Sequence, residues 1–279
     1  MPGVKRIGLV VHCGSADALE CAALTVAHLR DRGALVTAEE EAAAMLRVPP
    51  FEGGQAPEAV LSLGGDGTLL RGAQKALEWD VPLMGVNLGH VGFLTEAEPE
   101  RLQDILDRLL REDYVLEERA LLEVRVQQAR WLALNDVVVS RGGYARLITL
   151  DALVDGETAG RYVADGVIVS TPTGSTGYSL SAGGPIVSPH VNCMVITPIC
   201  AHSLQHRPCV VPGSAFVRLV MCSDCEQHAS LQVDGQSRAD LLPGARVEIR
   251  RARQCIRLIR TRPAPFFQLV RDKLTEWSR

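Results

Sequence analysis

The apolar and polar positions in the first hundred residues predict strands that alternate with helices. Arg6–Val11 is a short apolar run, and Ala16–Arg32 then carries apolar residues at helical spacing until Gly33. Three further apolar runs and one further helical pattern continue the alternation: Ala34–Ala38, Ala59–Leu63, Pro82–Val86 and the helical Leu69–Trp79. Such an alternation favours a parallel sheet with helices on both faces.

The hydrophobic pattern changes after an amphipathic helix predicted at Glu98–Arg111. From Tyr114 to Ile259 the chain consists mostly of short runs rich in Val, Ile and Leu, separated by turn signals. The tail Pro265–Trp277 reads as a helix that needs an apolar surface. The predicted fold is an α/β N-terminal domain with a parallel sheet, plus a β-rich second domain. The first comprises residues 1–112, to which 260–279 return as a C-terminal helix, and the second comprises residues 113–259.

Composition narrows the classes of partner. The 279 residues are 47% hydrophobic and 22% charged, and their formal net charge is −4. This balance gives no overall basic field for nucleic acid. No run of about 18 apolar residues occurs, as a membrane-spanning helix requires. We therefore expect a cytoplasmic protein that binds neither nucleic acid nor a membrane.

Cysteine usage points to reduced thiols. Eight cysteines are scattered through a chain that has ample apolar material of its own, so a disulfide framework is not expected. Cys222 and Cys225 form a single CxxC, without a second pair at zinc-like spacing. We expect no protein-bound metal, and any role of this pair stays open.

One candidate for phosphate chemistry is Gly64–Thr68, with the sequence Gly-Gly-Asp-Gly-Thr, between the strand Ala59–Leu63 and the following helix. Glycines at such a junction allow close approach of a phosphate, and the free N–H groups and dipole of a helix N-terminus attract anions. Asp66 would repel a phosphate unless it accepts a hydroxyl proton or engages a metal carried by the nucleotide. The alternative is a tight turn with Asp at a helix N-cap.

Three further segments carry polar groups at strand ends. Asp165–Pro185 runs from an apolar strand into a stretch dense in hydroxyls and glycines, which predicts a polar ligand clamp rather than a flexible linker. The pair Asn135 and Asp136 offers donors and acceptors suited to an adenine edge and ribose hydroxyls, but it is also an ordinary turn dipeptide. Asp234-Gly235-Gln236 by itself is a hairpin signal.

Six motifs follow one another along the chain: Gly64–Thr68, Gly85–Leu94, Asn135-Asp136, Asp165–Pro185, Thr197–Leu204 and Asp234-Gly235-Gln236. In this order they resemble the NAD kinase family, and the similarity runs from the first strand to the final helix. The joint match is highly specific. The Gly-Gly-Asp-Gly-Thr motif alone also resembles diacylglycerol-type lipid kinases and phosphofructokinases.

The resemblance implies an ATP-dependent transfer of phosphate to the 2′-hydroxyl of the adenosine ribose of NAD, in a cleft between the two domains. Asp66 would be the proton acceptor, with Gly67 and Arg71 beside it and Phe93 at the border of the pocket. Asn135 and Asp136 would hold the adenosine. The rest of the dinucleotide site implied by the resemblance is Arg146, Asp165, Thr176, Gly177, Tyr178, Ser179, Leu180, Ser181 and Gln236.

The resemblance also implies Mg²⁺ or another divalent metal with ATP, NAD as substrate, and a homodimer or homotetramer in which Asp165 reaches a neighbour's pocket. Three positions depart from the family pattern. Asp136 stands where many relatives have Glu, and Gly177 stands where Ala is usual. Val163 occupies a position that often carries a basic side chain, so dinucleotide affinity could differ.

Two other readings compete with an NAD kinase. A lipid kinase would need a large apolar pocket or a membrane-facing patch, and no amphipathic basic helix in the sequence supports one. A dinucleotide-binding regulator without turnover would not need Asp66 within an intact glycine loop. The sequence leaves open whether ATP or polyphosphate is the donor, whether NADH is accepted, and whether the assembly is a dimer or a tetramer.

Overall fold

The computed structural model describes residues 4–51, 55–88, 92–95, 101–143, 146–203, 205–223, 228–262 and 266–277, with side chains to Thr275. The chain forms two compact units. Unit 1 comprises Met1–Glu118 and Ile256–Arg279, and unit 2 comprises Arg119–Cys255. The domain boundaries predicted from the sequence lie at 112/113 and 259/260.

Unit 1 begins with alternating strands and helices. They are β1 (Arg6–Val11), α1 (Ala16–Asp31), β2 (Leu35–Ala38), α2 (Glu40–Leu46), β3 (Ala59–Leu63), α3 (Asp66–Trp79), β4 (Leu83–Val86) and α4 (Leu102–Leu110). The strands are parallel in the order β2-β1-β3-β4. The chain moves from β1 to one side to form β2 and to the other side to form β3. The carboxyl ends of β1 and β3 therefore flank a topological switch point, where open α/β sheets bind ligands.

Helix α1 illustrates how the sequence forms the elements of this unit. The Ser15 side chain accepts a hydrogen bond from the N–H of Ala18 and caps the helix, and Gly33 follows its end with a left-handed φ of 77°. The buried residues lie at helical spacing: Ala18, Cys21, Ala22, Thr25, Val26 and Leu29. All of these except Thr25 pack in one apolar core with strands β1 to β4 and helix α4.

Unit 2 is built from antiparallel strands. Its elements, with two strands shared at its ends, are β5 (Val115–Val126), β6 (Ala129–Ala133), β7 (Asp136–Ser140), β8 (Ile148–Val154), β9 (Glu157–Ala164), β10 (Gly166–Ser170), α5 (Tyr178–Ser181), β11 (Cys193–Ile199), β12 (Cys209–Pro212), β13 (Phe216–Met221), β14 (Ala229–Val233), β15 (Gln236–Leu241) and β16 (Arg246–Arg260). One sheet has the order β12-β11-β10-β7-β14-β15, and in a second layer β16, β13, β8 and β9 pair in that order, with β5 and β6 beside β16.

The six-stranded sheet has two different faces. Val137 and Val167 pack into the main core of the unit with residues of the second layer. Val138 and Ile168 lie on the opposite face in a smaller cluster, against which Ala182 packs after α5. Because side chains alternate along a strand, Asp136 projects on the same face as Val138.

The predicted fold class is confirmed: unit 1 has the parallel α/β sheet, unit 2 is β-rich, and the C-terminal helix belongs to unit 1. This helix, α6, spans Phe266–Trp277. Leu258 near the end of β16 pairs in parallel with Leu83 of β4, which returns the chain to unit 1. None of the helices in the described ranges has the length and apolar character needed to cross a membrane.

Element boundaries differ from the sequence expectations in a few places. Strands β1 and β3 have the predicted bounds, but α3 begins at Asp66 rather than Leu69 because its first turn carries glycine and polar residues instead of the apolar period. The short helix α2 was not expected. Of the predicted helix Glu98–Arg111, residues 98–100 lie outside the described residues, as do Pro265 and Cys225.

Candidate active site

A glycine-rich turn connects β3 to α3 at the switch point of unit 1. Gly64 has a φ of 153°, and a Cβ there would lie 2.5 Å from the Thr68 hydroxyl, so only glycine fits. The backbone of the turn is fixed by neighbouring strands: Gly64 N donates to Val86 O at 3.1 Å, and His12 N at the end of β1 donates to Leu63 O at 3.0 Å. Gly65 is the N-cap of α3, and no side chain caps the helix. This leaves the helix N-terminus available to an anion.

Asp66, the first residue of α3, lies beside the loop 92–95. Its Oδ2 accepts a hydrogen bond from Phe93 N at 3.2 Å. A Cβ on Gly92 would overlap with Asp66 Oδ1, so the loop backbone packs directly on the carboxylate. This Oδ1 atom is buried and has no hydrogen-bond partner among the described residues. A buried carboxylate oxygen without a donor can accept a proton or a hydrogen bond from a ligand.

The environment of Asp66 shifts its pKa in two directions. Burial raises the pKa of this carboxyl group, whereas the N–H groups of Phe93 and Leu94 and the positive charges of Lys273 and Arg260 lower it. The net direction is upward. Asp66 is therefore a stronger base than an exposed aspartate.

The carboxyl-terminal part of the chain supports this loop. Arg260, at the end of β16, is buried and donates from Nη1 to Leu94 O at 3.2 Å and from Nε to Glu117 at 2.8 Å. Lys273 on α6 is buried, and its charge acts on Asp66. Sequence reasoning missed both residues. The signal for Lys273 was its place three residues after Val270 on the apolar face of the predicted tail helix.

Among the predicted residues of unit 1, Asp66, Gly67 and Phe93 lie together, whereas the Arg71 guanidinium is engaged with β1. Its Nη2 donates to Val11 O at 2.8 Å and to Glu39 at 3.2 Å. Gly67 is exposed in the first turn of α3. Residues 89–91 of the motif Gly85–Leu94 lie outside the described residues, as does Leu204 of another motif.

In unit 2, Asn135 and Asp136 stand where β7 begins, and Asp234 holds their backbone. The Asp234 carboxylate accepts hydrogen bonds from Leu134 N at 2.8 Å, Asn135 N at 2.7 Å and Asp136 N at 3.2 Å. In the sequence, Asp234 belongs to the motif Asp234-Gly235-Gln236, but the pattern indicates no role for it in the site, because Asp-Gly is sufficient for a hairpin turn.

The Asp136 side chain is buried on the outer face of the six-stranded sheet. Burial and the negative charge of Asp234 raise its pKa from 3.8 to about 7. For Asp234 itself, burial raises the pKa and the three N–H donors oppose that rise. Asp136 is thus an acceptor whose charge can change close to neutral pH.

The segment after β10 forms a 3₁₀ turn, Thr173–Thr176, followed by α5. Several of its hydroxyls stabilise the segment itself: Thr176 Oγ1 donates to Thr173 O at 3.2 Å, and Ser179 Oγ lies 2.8 Å from Thr197 Oγ1. Tyr178 and Ser181 are exposed, and Leu180 is half-buried. The segment predicted to be a polar clamp is therefore an internally hydrogen-bonded turn that leaves only a subset of its polar groups exposed.

Gly177 lies between the 3₁₀ turn and α5, and its backbone is not helical: its φ and ψ are −96° and −130°. An alanine at this position would therefore not gain the stability that alanine gives to a helix. A Cβ at this position would lie 3.9 Å from Asn135 Nδ2 and 4.0 Å from Asp136 Oδ2, which are ordinary contact distances. Gly177 therefore lies directly beside the Asn135–Asp136 pair.

The remaining predicted residues lie at or near the ends of strands β8, β9, β10 and β15. Asp165 Oδ1 forms an ion pair with Arg141 Nε at 2.7 Å. Val163 is 41% exposed on β9, and its carbonyl accepts from His202 N at 2.9 Å. Arg146 is exposed, and Gln236 is half-buried at the start of β15, two residues after Asp234.

The features of unit 1 define a class of protein. A parallel α/β sheet with a glycine loop and an uncapped helix N-terminus at its switch point is typical of proteins that bind nucleotides or other phosphorylated ligands. Asp66, in the first turn of the following helix, adds a carboxylate with one buried oxygen that has no hydrogen-bond partner among the described residues.

Comparison with known proteins identifies the family. Residues 50–114 match the model of the ATP-NAD kinase N-terminal domain, and residues 134–261 match that of the ATP-NAD kinase C-terminal domain. The chain is 43% identical to the NAD kinase of Moorella thermoacetica over 98% of this chain and 90% of the relative. It is 40% identical to that of Syntrophotalea carbinolica over 97% of this chain and 98% of the relative. The chain belongs to the NAD kinase family of transferases.

Solved structures of the family agree with the fold. Yeast NADH kinase complexed with NADH superposes with a TM-score of 0.88 at 26% identity, covering 98% of this chain and 88% of that one. An NAD kinase from Archaeoglobus fulgidus in complex with ATP superposes with a TM-score of 0.74 at 26% identity, covering 97% and 98%. The first of these neighbours is complexed with NADH, and the second is in complex with ATP.

Proposed function

We propose that this protein transfers the γ-phosphoryl group of ATP to the 2′-hydroxyl of the adenosine ribose of NAD, giving NADP and ADP. The observation that carries the proposal is the buried, unpartnered Oδ1 of Asp66 at the N-terminus of α3. A reactive hydroxyl needs an acceptor at a place where phosphate is also bound, and Asp66 stands beside such a place.

In the proposed reaction, the ribose 2′-oxygen forms a bond to the γ-phosphorus while the bond from that phosphorus to the β,γ-bridging oxygen breaks. The hydroxyl proton passes to Asp66 Oδ1, and ADP leaves with the electron pair of the broken bond. The backbone N–H groups of Phe93 and Leu94 keep the carboxylate oriented. Orientation supplies much of the rate in phosphoryl transfer, because little covalent chemistry falls to the protein.

A divalent metal such as Mg²⁺ fits this site as a companion of the nucleotide. Among the described residues there is no cluster of three or more His, Cys, Asp or Glu side chains that could hold a metal ion. Asp66 Oδ1 is the proposed proton acceptor, so the phosphate oxygens of ATP would supply most of the metal's ligands. Mg²⁺ is commonly held by one or two carboxylates together with substrate phosphates, and when bound it would spread the charge that develops on the phosphoryl group.

Asn135 and Asp136 are the proposed contacts to the adenosine of NAD. Asn135 Oδ1 is buried without a hydrogen-bond partner in the described part of the chain, and Asp136 is a buried acceptor. Carboxylate and amide groups suit the hydroxyls of a ribose and the edge of an adenine. Gly177 borders this pair, and we propose that Tyr178 and Gln236 complete the dinucleotide site.

We expect the purified protein to form NADP from NAD when ATP and Mg²⁺ are supplied. The products should be identified by mass spectrometry, which locates the new phosphate and separates NADP from isomers. Parallel reactions should replace ATP with inorganic polyphosphate, NAD with NADH, and Mg²⁺ with Mn²⁺. Failure to form NADP or NADPH in every combination would contradict the proposed function.

We also propose a homodimer or homotetramer in which Asp165 completes a neighbour's site. If so, Asp66→Asn and Asp165→Asn proteins, each poorly active, should regain activity when dissociated and reassembled together. In a mixed dimer one of the two sites carries both native carboxylates, so about a quarter of all sites should work. A monomeric mass at assay concentration, or no gain over the separately treated parents, would contradict shared sites.

A further inference from the structure

The backbone N–H groups of Leu134–Asp136 all donate to one carboxylate, that of Asp234. Three consecutive N–H groups point to Asp234, at 2.7 to 3.2 Å, across about a hundred residues of sequence. Converging backbone N–H groups of this kind form a concave anion site, here filled by a side chain of the protein itself. Asp234 is buried, so water does not compete for these hydrogen bonds.

The carbonyl groups of the same three residues are also occupied. Thr171 donates from Oγ1 to Leu134 O at 2.6 Å and from its backbone N to Asn135 O at 2.9 Å. Asp234 N donates to Asp136 O at 3.0 Å. Every backbone N–H and C=O of Leu134–Asp136 thus has a protein partner.

The side chains of Asn135 and Asp136, unlike their backbone, are not all hydrogen-bonded within the protein. Asn135 Oδ1 is buried and has no hydrogen-bond partner among the residues that the structure describes. The Asp136 carboxylate is buried beside it, and the space above Gly177 lies within 4.0 Å of both side chains. A fixed backbone that carries a buried amide oxygen without a partner, next to a buried carboxylate, is the arrangement expected of a preorganised ligand contact.

The hairpin turn does not by itself require an aspartate at position 234. Asp234 and Gly235 have φ values of 49° and 74°, and Val233 pairs with Gln236, which defines a two-residue type I′ turn. Asn-Gly is at least as favourable as Asp-Gly in that turn. The carboxylate is needed for the three N–H groups instead.

We propose that Asp234 is a positioning residue for the dinucleotide: it does not touch NAD, but it fixes the backbone from which Asn135 and Asp136 contact the adenosine. The inference rests on the proposed function and adds to it a specific cause of NAD affinity. Loss of the Asp234 carboxylate should therefore weaken the affinity for NAD and leave the affinity for ATP unchanged, because the Asp66 loop is not part of this hydrogen-bond network.

Asp234→Asn is the test variant. The amide keeps the shape and the turn, but its NH₂ group faces backbone donors and cannot accept from them. We expect the KM for NAD to rise about tenfold or more, since hydrogen bonds to a charged group are lost. We expect kcat and the KM for ATP to change by less than about twofold. Asp240→Asn, which removes an exposed carboxylate from the same hairpin, should leave all three parameters unchanged.

Thr171→Val provides an independent test if Asp234→Asn does not fold. It keeps the side-chain shape and removes two hydrogen bonds of the hydroxyl, the one donated to Leu134 O and the one accepted from Gly174 N. Because the first of these fixes the backbone that carries Asn135 and Asp136, the variant should also raise the KM for NAD selectively. An unchanged KM for NAD in a folded Asp234→Asn protein, or an equal loss in kcat and in both KM values, would overturn the inference. If the parent protein itself forms no NADP, the proposed function is wrong. That outcome is distinct from an active parent whose Asp234→Asn variant keeps the KM for NAD, which contradicts only the role of Asp234.

Discussion

Asp66→Asn is expected to lower kcat by about 10²-fold or more at neutral pH, because a positioned general base contributes at least that much. The asparagine oxygen can still accept the hydrogen bond from Phe93 N, so the loop 92–95 should keep its position. What is lost is the basic Oδ1 that has no protein partner. The KM for NAD should therefore change little. Steady-state kinetics with both substrates varied would separate these parameters.

The matched control is Glu78→Gln, which removes a carboxylate from the exposed surface of the same helix. Its kinetics should equal those of the parent. The melting temperature of Asp66→Asn should be equal to or above that of the parent, because burial raises the pKa of Asp66 and makes its charged form costly. Turnover near the parent level in a folded Asp66→Asn protein would remove Asp66 from the chemistry.

The sequence predicted the fold well where local pattern decides structure. Apolar runs bounded by glycines located β1 and β3, and the helical stripe of α1 ended one residue before the predicted position. The helix α2, Glu40–Leu46, was missed because its seven residues are too short for a clear apolar period. The predicted start of α3 was wrong by three residues, because Asp66 and Gly67 stand in the first turn where the apolar period would need apolar residues.

The site was less accessible to sequence reasoning. Local pattern marks Asp66 by its glycines, but it does not reveal that the loop 92–95 covers that carboxylate. The contact between Asp234 and Asn135 joins residues 99 positions apart, and hydrophobic periodicity carries no information about such a pair. Likewise, Lys273 resembled a surface lysine until the fold placed its charge close enough to act on Asp66. Motif order, rather than physical pattern, made the prediction of the dinucleotide residues possible.

Asp136→Asn is expected to stabilise the protein at alkaline pH while weakening its affinity for NAD. The pKa of Asp136 is raised from 3.8 to about 7, so between these values the folded protein binds more protons than the unfolded chain. Stability is then lost as pH rises through that window. Asparagine removes this loss. We expect a gain of about 1–3 kcal/mol in the free energy of unfolding at pH 8, since each pKa unit corresponds to about 1.4 kcal/mol.

The measurement is denaturant unfolding at pH 5 and at pH 8, compared with the parent and with Asp240→Asn. The gain for Asp136→Asn should be clearly larger at pH 8, and the control should show no such difference. The charge of Asp234 acts directly on the pKa of Asp136, and the charge of Arg238 acts on the pKa of Asp234. Both residues are therefore kept in Asp136→Asn and in Asp240→Asn. At pH 8, where Asp136 is mostly ionised, the KM for NAD should rise about 10- to 100-fold, because a charged acceptor is lost from a buried contact. A stabilised variant with unchanged KM would show that Asp136 is buried for a reason other than NAD binding, whereas equal stability at both pH values would mean that its carboxyl group titrates normally.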